Sequence, residues 1–539
     1  MRQLTILPAA QALLAIVLCG GWQLSGMAQE PVPYAPSAAP SPDELQELRE
    51  RLHETESRLR SLERRREVRR LPAVGRVGAR LEAPGEAPSE AAELQERIEA
   101  LEQDREQRIK DDKKKEEKKK ADDEKKKAED EKKKLAEAIK KAEDAKKPTQ
   151  KWTGRIHTPY WAFPQTSPGA NAFETGSATN DVDDRFLFRR VRFGLQGDIP
   201  DLMLYKAEFD INRPDTPQFK DCFIGFKELP LLHTVLLGNQ KRPYGLDHIN
   251  SSRYNVFIER PFIIEAVNPD ARRYGICSYG KSDDEAYNWR FGAYMMEDMQ
   301  QIGIVTANSA YQAEVCGRFA NTIWYDECSG GRGFAHWAVS GTLADPSDSN
   351  PNSAARFSTR PEARTTGRWI DTGIIAGTQQ YEMLGVEALV NLGPFQVVGE
   401  YQHIWLQRRT GRELHFHGAY CYVSYFLTGE SMAWERSTGQ LDRVHPYENF
   451  WIVDTCCDGV RAGWGAWQVA ARLSAADFSD DNVRGGVGQS VTLGVNWHWN
   501  PYARMMFNCI HGQIDDHAPV NGQTSGTYTI LGTQFMVDY

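Results

Sequence analysis

After its first row the chain has no long apolar run. Nothing approaches the ~18 clean residues a spanning helix needs, and mean hydropathy is −0.57 over 539 residues. That argues against a membrane domain built of helices. Cysteine is scarce, nine in all, which is thin for a secreted disulfide scaffold. Cys19 lies in the leader; the others are Cys222, Cys277, Cys316, Cys328, Cys421, Cys456, Cys457 and Cys509. Cys316 and Cys328 flank a short polar stretch and either close a loop or stay free thiols, and spacing does not choose. Enzyme signatures are missing: no Gly-x-Ser-x-Gly, no His-Glu-x-x-His and no phosphate-cradling glycine loop. Neither catalysis nor a cofactor is therefore expected. Asp181-Val182-Asp183-Asp184 lacks the spacing of a calcium loop and reads as a solvated turn. His415 and His417 share one strand face without an identifiable third ligand and read as a rim or lumen pair, so no metal is expected. Excess positive charge is absent too: the net charge is −9, which argues against nucleic acid as a partner.

What is present falls into blocks. Residues 1–28 read as a signal peptide: Arg2, a short apolar run from Ala9 to Cys19, and small residues at Gly26-Met27-Ala28. Residues 29–42 are a Pro/Ala/Ser linker. Residues 43–147 read as a periplasmic helical stalk. Pro42 makes a good helix start, and Leu45, Leu48, Leu52, Leu59 and Leu62 follow the four-three spacing of a coiled-coil seam. Pro72 and the PGEAPSE stretch interrupt it. A second helix starts near Ser89 and runs into alternating lysine and acidic blocks, whose i,i+4 pairs hold a solvated helix. Its alternative is disorder. Pro148 ends it.

From Trp152 the period becomes two. Leu187, Val191, Phe193 and Leu195 alternate with Arg190, Arg192 and Gln196. Tyr205, Ala207, Phe209 and Ile211 alternate with Lys206, Glu208, Asp210 and Asn212. Val491, Leu493, Val495, Trp497 and Trp499 alternate with Thr492, Asn496 and His498, and the last strand, to Tyr539, behaves alike. A soluble sandwich or propeller also alternates, but its strands are usually shorter. Segments of this length, with Tyr and Trp near their ends and Asp/Asn/Gly-rich loops between, fit tilted membrane strands. In hydrocarbon such a sheet must close, because an open edge leaves backbone groups unpaired. The expected fold is an all-β transmembrane barrel over residues 152–539, about 16 antiparallel strands, preceded by the helical coiled-coil stalk and placed in the outer membrane.

RFLFRRVRFGLQGDI (Arg185–Ile199), YKAEFDI, KDCFIGFKELPLL, the run GNQKRPYG (Gly238–Gly245) and FIERP resemble the phosphate-selective porin O/P family. The resemblance implies a sixteen-stranded barrel, a homotrimer and passive uptake of small anions, phosphate among them. It also implies a ladder of arginines leading to a lysine-lined constriction on an inward loop. Gly245 to Asn268 stands where that loop belongs. It holds no lysine, and it carries Asp247, Glu259 and Glu265, which oppose anions.

A charged wall residue is costly toward lipid and cheap toward a wet lumen. That turns Arg190, Arg192, Lys206, Arg472 and Arg504 inward, and the resemblance adds Lys241 and Arg242 of the GNQKRPYG run and Arg253 and Arg260 of the inward loop; these nine are the candidate pore-lining and anion-contacting residues, arginine offering a fork for phosphate or carboxylate oxygens. Neutralisation by Glu208 and Asp210 is the structural alternative. Arg189 breaks the alternation and reads as a snorkelling side chain or a bulge. The expected function is an outer-membrane porin for small anions or other small hydrophilic solutes. Its partners are outer-membrane lipid, its own copies and, through the stalk, the cell wall; the alternative is a structural anchor tethering the envelope.

Overall fold

The computed structural model describes residues 90–144, 147–200, 202–213, 215–268, 272–298, 312–347, 354–451, 453–455 and 459–539, with Gln46 and Glu50. The expected signal peptide, the linker, the Leu45–Leu62 seam, Cys456 and Cys457 lie outside the described residues. The chain divides into two compact units, Met1–Lys146 and Lys147–Tyr539. In the first, α1 (Glu90–Asp144) is one helix of 55 residues. Pairs one turn apart run along it, such as Arg108 with Asp104 and Lys120 with Glu116, each at 2.9 Å. Exposed pairs of this kind are screened by water and contribute little to the helix individually. Most of the described side chains of α1 are solvated; among them burial is confined to Lys125, Ala128, Lys132, Leu135 and the neighbouring Ala138 and Ile139.

The second unit is built by the period-two pattern. Sixteen long strands form a closed antiparallel sheet, with a two-residue strand, β2 (Arg185–Phe186), laid against the first. In order they are β1 (Lys151–Thr166), β3 (Arg190–Ile199), β4 (Met203–Asp210), β5 (Gln218–Leu229), β6 (His233–Lys241), β7 (Arg272–Lys281), β8 (Tyr287–Met295) and β9 (Ala313–Tyr325). The other half is β10 (Gly333–Ala344), β13 (Thr378–Leu392), β14 (Phe395–Arg408), β15 (Leu414–Phe426), β20 (Ala466–Asp480), β21 (Val483–Asn500), β22 (Ala503–His517) and β23 (Gly526–Asp538). Each pairs with the next, and β23 closes on β1, with Ile156 opposite Val537 and Tyr160 opposite Thr533. Tyr539 completes this seam by exchanging backbone bonds with Gly154 at 3.0 and 3.1 Å. Among the described residues no helix is long and apolar enough to cross a membrane.

The two parities of each strand see different surroundings. On β21, Val491 and Leu493 are exposed outward while Ser490, Thr492 and Asn496 are buried inward. On β3 and β4, Phe193 faces out and Arg190, Glu208 and Asp210 face in. The outer face ends in aromatic girdles, one of which stacks Trp467 on Trp497 at 5.0 Å. An apolar outer band flanked by aromatics over a polar interior is what a lipid bilayer selects.

One barrel end has short turns, such as Gly393-Pro394 between β13 and β14 and Pro501-Tyr502 between β21 and β22. In barrels of this kind that end is periplasmic. One connection there breaks the rule. Residues 427–465, between β15 and β20, carry the hairpin β16 (Ala433–Glu435)/β17 (Gln440–Asp442) and a second, β18 (Val453–Thr455)/β19 (Gly459–Arg461). At the other end two long connections turn inward. Residues 242–271 contain α3 (Leu246–Ile249) and α4 (Phe262–Val267), and residues 345–377 contain β11 (Ser358–Thr359) and β12 (Ile370–Asp371). A further short helix, α2 (Pro168–Thr175), follows β1. The interior apolar cluster joins wall residues such as Phe416 and Phe478 to Phe262, Ile263 and Phe357 of these loops. Burial of that kind contributes roughly 1.5–3 kcal/mol per large side chain.

Candidate functional site

The loop between β6 and β7 is stitched to the wall along its length. Leu246 and Asp247 donate backbone N–H groups to Glu400 (3.0 and 2.7 Å), and Ile258 donates to Asn508 Oδ1 (2.9 Å). Arg472 donates to the Glu259 carbonyl (3.0 Å), and Asn496 to that of Val256 (2.9 Å). α4 then lies against β15, close enough that a Cβ on Gly418 would stand 2.7 Å from Ile263 Cβ. The loop therefore crosses the lumen at Gly245–Asn268, where the family resemblance puts it.

From the other end the β16/β17 hairpin rises to meet it. Trp434 stacks on Phe334 at 5.2 Å and donates to Thr322 (3.0 Å). Arg318, paired with Glu387, donates to the Gly439 carbonyl at 3.1 Å. Leu441 N–H reaches Asn250 Oδ1 at 3.0 Å, and the Gln440 amide, in its bonding orientation, bridges the Ile249 carbonyl and Arg290 at 2.9 and 2.8 Å. The hairpin thus touches the inward loop directly.

Between these elements lies a cavity of about 600 Å³. Its lining holds fifteen arginines and lysines against five aspartates and glutamates. Six of the nine candidates line it: Arg190, Arg192, Lys206, Lys241, Arg253 and Arg260. The other three do not. Arg242 is buried against Glu314 (3.1 Å) and Asn268 (3.1 Å), Arg472 against Glu362 (2.7 Å), and Arg504 donates to the Asn255 carbonyl (2.7 Å). Lys241 lines the cavity but spends its ammonium on the carbonyls of His248, Ile249 and Asn250, at 2.7–3.0 Å.

Neutralisation by wall carboxylates is real but incomplete. Arg155 and Arg192 share Glu208 (2.7 and 3.3 Å), Arg192 also holds Asp210 (2.7 Å), and Lys206 and Arg272 share Asp221 (2.8 and 2.7 Å). Arg190 meets His157 Nδ1 at 3.3 Å rather than a carboxylate. The loop carboxylates that seemed to oppose anions are themselves outnumbered. Asp247 is held by Arg260 at 2.9 Å. Glu265 faces Arg360, Arg368 and Arg364 at 2.7, 3.6 and 3.9 Å. Burial alone would raise the carboxyl of Glu259, but the forked contact of Arg189 (Nη2 to Oε2, 3.1 Å) outweighs it and holds the group at about 2. Burial, with Arg189 and Arg360 close by, pushes Arg364 down to about 9. Cations are therefore crowded here.

Several lining residues escaped the sequence reading. Arg189 is neither snorkelling to lipid nor placed in a bulge: it precedes β3 and turns inward to Glu259. Arg155, Lys220, Arg272, Arg290, Arg360, Arg364 and Arg368 also line the cavity. The last three stand four residues apart in RPEARTTGR, a spacing that was there to be seen. Nothing in the β16/β17 segment announces a luminal hairpin. The histidine pair is at the rim but on the outer face, where His403 joins it with ring centroids 5.8 and 5.9 Å away. Among the described residues no group could hold a metal ion. Asp184 accepts from Tyr160 and from Phe163 N–H, as a turn residue does. Cys316 and Cys328 are both free.

A closed barrel with a lipid-facing apolar band and a charged cavity at its waist defines an outer-membrane protein of the porin class. The chain belongs to the phosphate-selective porin O and P family, whose model matches residues 169–539. An uncharacterized protein of Caulobacter vibrioides is 23% identical over 363 residues, covering 65% of this chain and 68% of that protein. Among solved structures, an anion-selective porin from Comamonas acidovorans aligns with a TM-score of 0.44 at 12% identity, over 73% of this chain and 100% of that one. A loop-deletion mutant of OmpT, an outer membrane protein of Vibrio cholerae, aligns with a TM-score of 0.45 at 12% identity, over 73% and 99%. The channel DcaP of Acinetobacter baumannii gives 0.43 at 10%, over 73% and 98%.

Proposed function

We propose that this porin passes small hydrophilic solutes passively and prefers anions, drawing them to the cavity between the inward loops and the β16/β17 hairpin. The observation that carries the reading is the charge of the lining, fifteen basic against five acidic side chains. In a low-dielectric wall such an excess raises local anion concentration and repels cations. Arginine forks suit phosphate and carboxylate oxygens alike, so the reading is anion preference rather than a site for phosphate alone. The test is the reversal potential of the purified channel in a planar bilayer under a KCl gradient. A chloride-selective potential supports the reading; a potassium-selective one defeats it. Phosphate added to the chloride current is expected to reduce it if the arginines hold phosphate longer than chloride.

We further propose a homotrimer in the outer membrane, exported by residues 1–28, with the region 43–147 as a periplasmic stalk. The length of α1 favours a tethering role for the stalk beside transport: at 1.5 Å per residue its 55 residues extend about 80 Å. Deleting residues 43–147 and measuring detachment of the outer membrane tests this; unchanged attachment removes the tether.

A further inference from the structure

The connection 427–465 does two things. Its first half sends the β16/β17 hairpin into the lumen. In its second half the described residues Asn449–Trp451 and Gly463–Gly465 lie against the outside of the barrel. That half contains NFW (Asn449–Trp451) and GWG (Gly463–Gly465), the latter running directly into Trp467 of β20, so indoles are dense there. Phe450 packs on the outward rings of Trp497 and Trp499, with centroids 4.6 and 5.7 Å away. Its N–H donates to the Trp499 carbonyl at 2.6 Å. Trp497 Nε1 in turn donates to the Trp464 carbonyl at 2.8 Å. The segment is therefore fastened to β21 on the lipid side, at the barrel end with short turns.

Fastened so, it turns two large rings away from the protein. Trp451 is 67% and Trp464 76% exposed. Trp451 also holds φ at +80°, a left-handed backbone that a bulky residue rarely adopts. Its N–H is bonded to the Gly463 carbonyl at 3.1 Å, which keeps it there. A strained backbone that presents an exposed indole points to something the indole meets. Trp451 continues the girdle of Trp467, Trp497, Trp499 and Phe535 through Phe450, whose ring centroid is 5.9 Å from its own, and Trp464 adjoins it through its carbonyl on Trp497 Nε1. Indoles with an apolar body and one N–H donor settle at the headgroup level of a bilayer.

We propose that Trp451, seated by Phe450, and Trp464, held by its carbonyl on Trp497, form a loop-borne membrane anchor that inserts at the headgroup boundary of the periplasmic leaflet. The partner is phospholipid. The anchor fixes the outer half of the connection whose inner half is the luminal hairpin, so lipid contact and pore geometry share one segment.

The test uses the full chain labelled with fluorotryptophan in phosphatidylcholine nanodiscs and read by fluorine NMR. Trp451→Phe, Trp464→Phe and Trp497→Phe assign three lines by loss. Should a Phe variant fail to assemble, the Tyr variant at that position makes the same assignment. Doxyl-labelled phosphatidylcholine and a water-soluble gadolinium chelate are then added separately. The expected result is that the lines of Trp451 and Trp464 broaden about twofold or more with the labelled lipid relative to the chelate, as a headgroup-level indole does, with Trp497 as the lipid-facing reference. Broadening by the chelate alone would place the loop in water and overturn the proposal. Protection from both agents would put protein over the rings, a second copy of the chain for instance, and overturn it equally.

Discussion

Single side chains decide both what the cavity attracts and how firmly its loops are held. Glu265 is the countercharge for Arg360, Arg364 and Arg368. Glu265→Gln is expected to shift the reversal potential further toward chloride, and the double change Arg364→Gln/Arg368→Gln to shift it back toward zero, both read in the same KCl gradient. A solvated, self-neutralised arginine patch would give neither shift. Glu259 supplies a pH dependence whose sign follows from its depressed carboxyl, about 2 against an ordinary 4.5. A carboxylate lowered by a native partner stabilises the fold above its unfolded value and loses that contribution as pH falls toward the folded one. The inward loop is therefore expected to stay docked from neutral pH down to about 4.5 and to loosen between there and about 2. Protease sensitivity of the 242–271 loop measures this, and Glu259→Gln is expected to lose that dependence. Arg472 is a different case, a buried partner of Glu362, which also accepts from Ser490 (2.9 Å) and Thr492 (3.2 Å). Arg472→Ala strands a buried carboxylate, at a cost of roughly 3–5 kcal/mol. Its expected effect is release of the 345–377 loop rather than loss of selectivity.

Among the elements, the strands were legible and the insertions were not. A strand between lipid and water has its two parities fixed by opposite solvents, so Phe193 against Arg192, or Leu493 against Thr492, can be sorted by eye. A loop folded into a lumen has no such period. Its partners are remote in sequence: Arg189 finds Glu259, Arg318 finds Gly439, and Asn496 finds Val256. Arg242, Arg472 and Arg504, expected to line open water, meet packed partners instead: Glu314 and Asn268, Glu362 and the Glu259 carbonyl, and the Asn255 carbonyl. The same distinction guides intervention. Gly418 leaves room for α4, with Ile263 Cβ and the Ala475 carbonyl standing 2.7 and 2.9 Å from where a Cβ would be. Gly418→Val is expected to push α4 off the wall and alter single-channel conductance without opening the barrel. Replacing Ala433–Asp442 with a short Gly-Ser link is expected to raise conductance, about twofold if the hairpin is a main constriction. Unchanged conductance would show that the narrowest point lies elsewhere.

At the scale of the molecule, closure of the sheet belongs to the second unit alone. Closure is made by β1 against β23, where Arg155 to Thr166 pair with Asp538 back to Tyr528, and by Tyr539 bonded to Gly154. Every strand needs this seam, because an open edge would leave N–H and C=O groups in hydrocarbon. None of the pairs involves a residue before Lys151, and the compact unit begins at Lys147. Residues 147–539, refolded in detergent and placed in a planar bilayer, are therefore expected to conduct as the whole chain does. Their barrel should show the same heat-modifiable mobility on gels. Truncation from the other end should behave oppositely: removing Phe535–Tyr539 takes the partners of Gly154 to Thr158 and leaves the seam open, so no conducting barrel is expected. If instead the 147–539 barrel fails to close or conducts differently, the residues before Lys147 contribute to the channel itself, and the division of the chain at that point has to be abandoned.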